Sequence, residues 1–150
     1  MVAEINEIIC SFIPGVVFII VGVCLERHIY TKIGANGINV PSAKRNMVKW
    51  MYAQAIGPKL IIKCGIMVLI FTVLVDIGAP FFSSIRDMGS HIWWIALGGC
   101  ICVIDNKVAA FSPEWLSKDK EKEKNWVDTA VEFARKRQYK ELYEFATSTK

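Results

Sequence analysis

Hydrophobic residues gather into three nearly continuous runs separated by polar segments. The runs cover 8–25, 60–77 and 89–106. A bilayer core about 30 Å thick is crossed by about 20 helical residues, with a usual range of about 17 to 25. All three runs lie within that range. The overall composition agrees, since 53% of the 150 residues are hydrophobic and the mean hydropathy is +0.35. We therefore predict an all-α integral membrane protein built as a three-helix bundle.

Segment 42–56, between the first two runs, has a different pattern. It contains no helix breaker, Ser42 is placed to cap it, and its apolar and basic residues alternate at roughly helical spacing. This pattern predicts an amphipathic helix lying on the membrane interface, with lysines and arginine toward anionic headgroups and aromatic rings at headgroup depth. The residues predicted for this interface are Lys44, Arg45, Lys49, Trp50 and Tyr52.

The distribution of charge predicts the orientation. Segment 26–59 holds six basic residues against Glu26 alone, and ten basic residues follow Ile104. Because basic residues in short flanking segments stay on the cytoplasmic side, we predict a multi-pass plasma membrane protein with its N-terminus outside and its C-terminus in the cytoplasm. The acidic start "MVAEINE" is unlike a signal peptide. The basic excess indicates an anionic inner leaflet as partner rather than nucleic acid.

The chain after the third run is charged and helical in pattern. The run "SKDKEKEKN" precedes an apolar stripe that includes Trp126, Ala130 and Phe133. We therefore divide the chain into a three-span membrane module, 1–111, and a cytoplasmic charged helical tail, 112–150.

Residues suited to catalysis do not form a recognisable set. No nucleophile with a base and no paired acids can be assembled, and the five cysteines show no metal-ligand spacing. We expect neither enzyme activity nor a metal or cofactor. The outer connection between the second and third runs is instead a candidate binding surface, formed by Asp76, Phe81, Phe82, Arg86 and Asp87.

The stretch "GINVPSAKRNMVKW" resembles the signature of the SdpI family, small bacterial membrane proteins. The family typically reads Gly-x-Arg-Thr-Pro, then an amide residue, a Trp, an Ala-Asn pair and a glycine before a span. Asn39 and Val40 stand at the Arg-Thr pair, so that charge and hydroxyl are absent. The matching positions are Gly37, Pro41, Asn46, Trp50 and Ala53, with Gln54 at the second amide position and Gly57 within one position of the glycine.

The resemblance implies a function in binding rather than chemistry. The family's best-known role is immunity to a secreted killing peptide combined with signalling to a cytoplasmic regulator. A toxin or peptide would then bind outside and a regulator protein inside. The alternative hypothesis is a structural accessory or scaffold subunit of a larger membrane complex, and either hypothesis is compatible with a homo-oligomer.

Overall fold

The computed structural model describes residues 2–34, 36–78, 83–113 and 118–149, with the side chains of these residues except 2–9, 78 and 83–92. Within these ranges the chain is all-helical and contains no strand. Its α-helices are α1 (Val2–Arg27), α2 (Met47–Gly78), α3 (Ser83–Ala110), α4 (Lys120–Arg135) and α5 (Tyr139–Ser148), with a 3₁₀ turn at Ala43–Arg45.

Three helices of the described chain are long and apolar enough to cross a membrane. They contain the stretches Cys10–Arg27, Met47–Ile77 and Trp93–Ala110. Many of their apolar side chains face outward, as on Met67 of α2 and Ile95 of α3, which are 65% and 73% exposed. Such surfaces suit lipid and are unfavourable in water. The prediction of an α-helical membrane protein is confirmed at this level.

Glycines bring α1 and α2 close together. A Cβ at Gly15 would lie 2.6 Å from the Leu69 side chain, and one at Gly22 would lie 2.5 Å from Ile62 and 3.0 Å from the Pro58 carbonyl oxygen. Small residues allow the backbones of two membrane helices to come close together. Van der Waals contacts then stabilise the pair, because the hydrophobic effect does not drive helices together in lipid.

The surroundings of α2 change along its length. Every residue of 48–58 is buried except the half-buried Tyr52, whereas residues 59–77 are exposed or half-buried apart from the buried Gly65 and Val68. The enclosing structure consists of the loop 29–46, the last turns of α3 (104–110) and helices α4 and α5. We call this unit, together with residues 47–58 of α2, the head.

The head contains one hydrophobic core to which the tail contributes directly. Trp50, Met51 and Val108 lie in the same cluster as Trp126 and Leu142. An aromatic series links the parts, since the Tyr52 and Phe111 rings stack at 3.8 Å between centroids and Phe111 lies 6.1 Å from Trp126. The C-terminal helices therefore pack on α2 rather than forming a separate appendage.

Two predicted boundaries differ from the structure. A separate interfacial helix over 42–56 is not confirmed, because 47–56 are the first turns of α2, which continues through Pro58. The connection predicted at 78–90 is shorter, because α3 already begins at Ser83. Both differences arise because polar residues at the ends of apolar runs continue the same helices.

Candidate functional site

Gln54 joins the loop to α2 in the centre of the head. Its Nε2 donates to the Ile38 carbonyl oxygen at 3.2 Å, and its Oε1 accepts from the Ile38 backbone N–H at 3.3 Å. Gln54 is 2% exposed and Ile38 is 6% exposed. The amide thus satisfies both backbone groups of a buried loop residue, which would otherwise lose their hydrogen bonds to water.

Two glycines of the motif make room for this pairing. A Cβ at Gly37 would lie 2.6 Å from Gln54 Oε1, and a Cβ at Gly57 would overlap the Ile38 side chain. Gly37 in the loop and Gly57 in the helix therefore both leave space for the contact between Gln54 and Ile38. Ala53, also on α2, is fully buried.

Asn46 and Trp50 fix the start of α2. Asn46 Oδ1 accepts from the Lys49 backbone N–H at 2.8 Å, the geometry of a helix N-cap. Ser42, predicted for that role, makes no capping bond. Trp50 is fully buried, and its indole Nε1 donates to the Tyr30 carbonyl oxygen at 2.8 Å. The motif residues are therefore brought together, and the polar ones hold the loop against α2.

Two further bonds attach this loop and α2 to the end of α3. The Ser42 backbone N–H donates to Asp105 Oδ1 at 2.8 Å. Lys49 Nζ donates to the Ala109 carbonyl oxygen at 3.1 Å, in the last turn of α3, where helix carbonyls lack intrahelical donors. The sequence did not lead us to predict this role of Asp105, although a single acidic residue near the end of an apolar helix indicates a polar contact.

The positions of the family's Arg-Thr pair face opposite ways. Val40 is 4% exposed and belongs to the core, whereas Asn39 and Pro41 are exposed. Lys44 and Arg45, on the following 3₁₀ turn, are exposed as well. These exposed residues form a surface next to the buried motif residues. We call it the loop face, and it consists of Asn39, Pro41, Lys44 and Arg45.

The predicted interface residues divide into two groups. Lys44 and Arg45 are exposed, but Trp50 is enclosed by protein and so does not lie among headgroups. Lys49 is 9% exposed and Tyr52 stacks on Phe111. An amphipathic pattern arises equally from packing against protein, and here loop, α3 and tail cover the apolar side.

The tail contacts α2 beside Pro58. Tyr139 Oη donates to the Ala55 carbonyl oxygen at 2.6 Å, and Lys59 Nζ lies 3.4 Å from the centroid of the Tyr143 ring, a cation–π contact. Burial raises the pKa of the Tyr139 hydroxyl, and the Glu26 carboxylate raises it further. Sequence reasoning missed this contact, because its partners are far apart in the chain.

The outer-connection candidates are only partly described. Asp76, near the end of α2, has a buried Oδ2 without a hydrogen-bond partner in the described chain. Phe81 and Phe82 lie outside the described residues. Arg86 and Asp87 belong to the first turns of α3, and their side chains also lie outside the described residues. Among the five, only the side chain of Asp76 is described, so this binding surface stays a prediction.

The class of protein follows from the helices alone. Within the described chain, no three histidine, cysteine or acidic side chains cluster closely enough to hold a metal ion. The fold defines a helical membrane protein with a packed head. No protein family model, no curated protein and no solved structure matches the chain.

Proposed function

We propose that this chain is a membrane protein that acts by binding, of the SdpI-like immunity and signalling kind. The observation that supports this proposal is the convergence of the resembling residues. Gly37, Asn46, Trp50, Gln54 and Gly57 each make a specific contact in the head. These contacts support the proposal, because the residues that carry the resemblance lie in one folded unit.

The dimensions of α2 indicate where that unit lies. A helix of 32 residues is about 48 Å long, which exceeds a hydrocarbon core of about 30 Å by about 18 Å. That excess corresponds to about twelve residues, and the enclosed stretch of α2 is 47–58. We place the head outside the hydrocarbon, on the cytoplasmic side favoured by its basic residues. The N-terminus is then outside and the C-terminus inside.

The loop face is the part of this unit offered to partners. Lys44 and Arg45 suit anionic lipid headgroups or an acidic segment of a cytoplasmic regulator. Asn39 stands where the family has an arginine. A partner that binds at this position would therefore contact a neutral side-chain amide and not a positive charge. A toxin or peptide would bind on the opposite side of the membrane, near the end of α2 that carries Asp76.

Immunity is tested by expressing the full chain in a toxin-sensitive bacterium and measuring survival against a panel of secreted killing peptides. We expect protection from at least one peptide. Asn39→Arg restores the family charge at an exposed position. This variant and Pro41→Ala should each alter protection or signalling without changing the stability of the protein. Equal killing with and without the chain across the panel would refute immunity.

A scaffold subunit is the second candidate, and the docked tail favours it. Helices α4 and α5 are held by the core of the head, yet Lys120, Lys124 and Lys140 are among many charged residues that stay exposed. Purification from membranes in mild detergent separates the two functions, since a scaffold is recovered in a stoichiometric complex. Recovery of the chain alone would count against this candidate.

A further inference from the structure

Pro58 interrupts the hydrogen-bond ladder of α2 where the helix leaves the head. Proline has no N–H to donate to the carbonyl four residues earlier, and its ring crowds that turn. In membrane proteins the backbone groups that proline frees are satisfied by neighbouring helices, side chains or ordered water. Gly57, which precedes the proline, adds a residue of low helix propensity at the same point.

The Tyr139 hydroxyl lies beside this interruption. It donates to the Ala55 carbonyl oxygen at 2.6 Å, one residue after the Gln54 carbonyl that Pro58 leaves without a helical donor. A side chain of the tail therefore bonds to the backbone of α2 at the turn that Pro58 weakens.

Other contacts surround the same turn of α2. Gly22 of α1 packs against the Pro58 carbonyl and Ile62, and Gly57 packs against Ile38 of the loop. The Lys59 ammonium lies over Tyr143, one helical turn after Tyr139. Tail, loop and first span thus meet where the enclosed part of α2 passes into its exposed part.

We propose that the tail governs the integrity of α2 at Gly57–Pro58, with Tyr139 as the bridge between them. While α5 is docked, the hydroxyl binds the Ala55 carbonyl and holds this turn of α2 against the tail. When a partner lifts the tail, the turn at Pro58 loses its bridge and α2 opens there, which alters the join between head and span. This inference deepens the proposed signalling function and rests on it for its biological purpose.

Amide hydrogen exchange of the full chain in lipid nanodiscs tests the bridge. Tyr139→Phe keeps the ring in place and removes only the hydroxyl, so the Lys59 amide should exchange about tenfold faster. Tyr143→Phe is the matched control, because it removes a hydroxyl from the same face of α5 and leaves the ring under Lys59. The proposal would be overturned if the Lys59 amide of Tyr139→Phe exchanged at the wild-type rate, or if its exchange rate rose equally in both variants.

A second variant tests the coupling. Leu142→Ala weakens a fully buried tail contact without touching Tyr139, so α5 amides and the Lys59 amide should accelerate together. Faster exchange in α5 with an unchanged Lys59 amide would overturn the coupling. Neither measurement needs a toxin or regulator, so failure of the immunity assay and failure of this inference are distinguishable.

Discussion

Replacing Gln54 by leucine should destabilise the head more than any other change of a single amide. Leucine keeps the approximate volume but leaves the N–H and carbonyl of Ile38 buried without partners. Each unpaired buried group costs about 1 to 3 kcal/mol, so the two together cost about 2 to 6 kcal/mol. In a chain of 150 residues each kcal/mol lowers the unfolding midpoint by about 2 to 4 °C, so the midpoint should fall by about 4 to 24 °C.

Thermal unfolding in detergent, followed by circular dichroism, measures this effect. Gln138→Leu is the matched control, because Gln138 precedes α5 and its side chain makes no capping hydrogen bond. The control should shift the midpoint by less than about 2 °C, as surface substitutions usually do. If Gln54→Leu unfolds at the same temperature as Gln138→Leu, the two hydrogen bonds between Gln54 and Ile38 do not stabilise the head and the reasoning is refuted.

Three further predictions use the same unfolding assay. Gly22→Ala should lower the midpoint because its Cβ would lie 2.5 Å from a neighbouring side chain, whereas Gly98→Ala meets nothing within 4 Å and should leave the midpoint unchanged or raise it; equal shifts would contradict this. Lys49→Met loses its hydrogen bond to the end of α3 and should cost about 1 kcal/mol, while exposed Lys44→Met should cost less than about 0.5 kcal/mol, and the reverse order would count against the bond. Burial raises the pKa of Tyr139 above its ordinary value of 10.0, so its contribution to stability is complete below pH 10 and is lost as the pH rises through the raised pKa; Tyr139→Phe should remove that alkaline loss, and an unchanged pH profile would refute its origin.

Local pattern was sufficient for the spans. Long apolar runs predict membrane-length helices because length and composition alone decide that class. The spacing from Gly37 to Gly57 also selected residues that prove to lie together. Of the residues predicted for the membrane interface, Trp50 and Lys49 are instead buried and Tyr52 stacks on Phe111.

Long-range partners explain what the pattern missed. Trp50 is compatible with a headgroup or with a protein core, and only packing by Tyr30, α3 and the tail decides between them. Likewise Pro58 lies between segment 42–56 and the second hydrophobic run, and the Tyr139 hydroxyl, from a distant part of the chain, bonds to the helix backbone beside it. No local window contains these partners.

With the head outside the hydrocarbon, as proposed above, the continuity of α2 would fix the height of the head above the bilayer. Because the enclosed stretch 47–58 and the exposed stretch 59–77 belong to one helix, no free linker joins the head to the membrane. A docked partner is therefore held within about 20 Å of the headgroups and at a set angle to the bilayer. A regulator bound to the loop face would therefore meet lipid and protein together, and it would need an acidic segment to pair with Lys44 and Arg45.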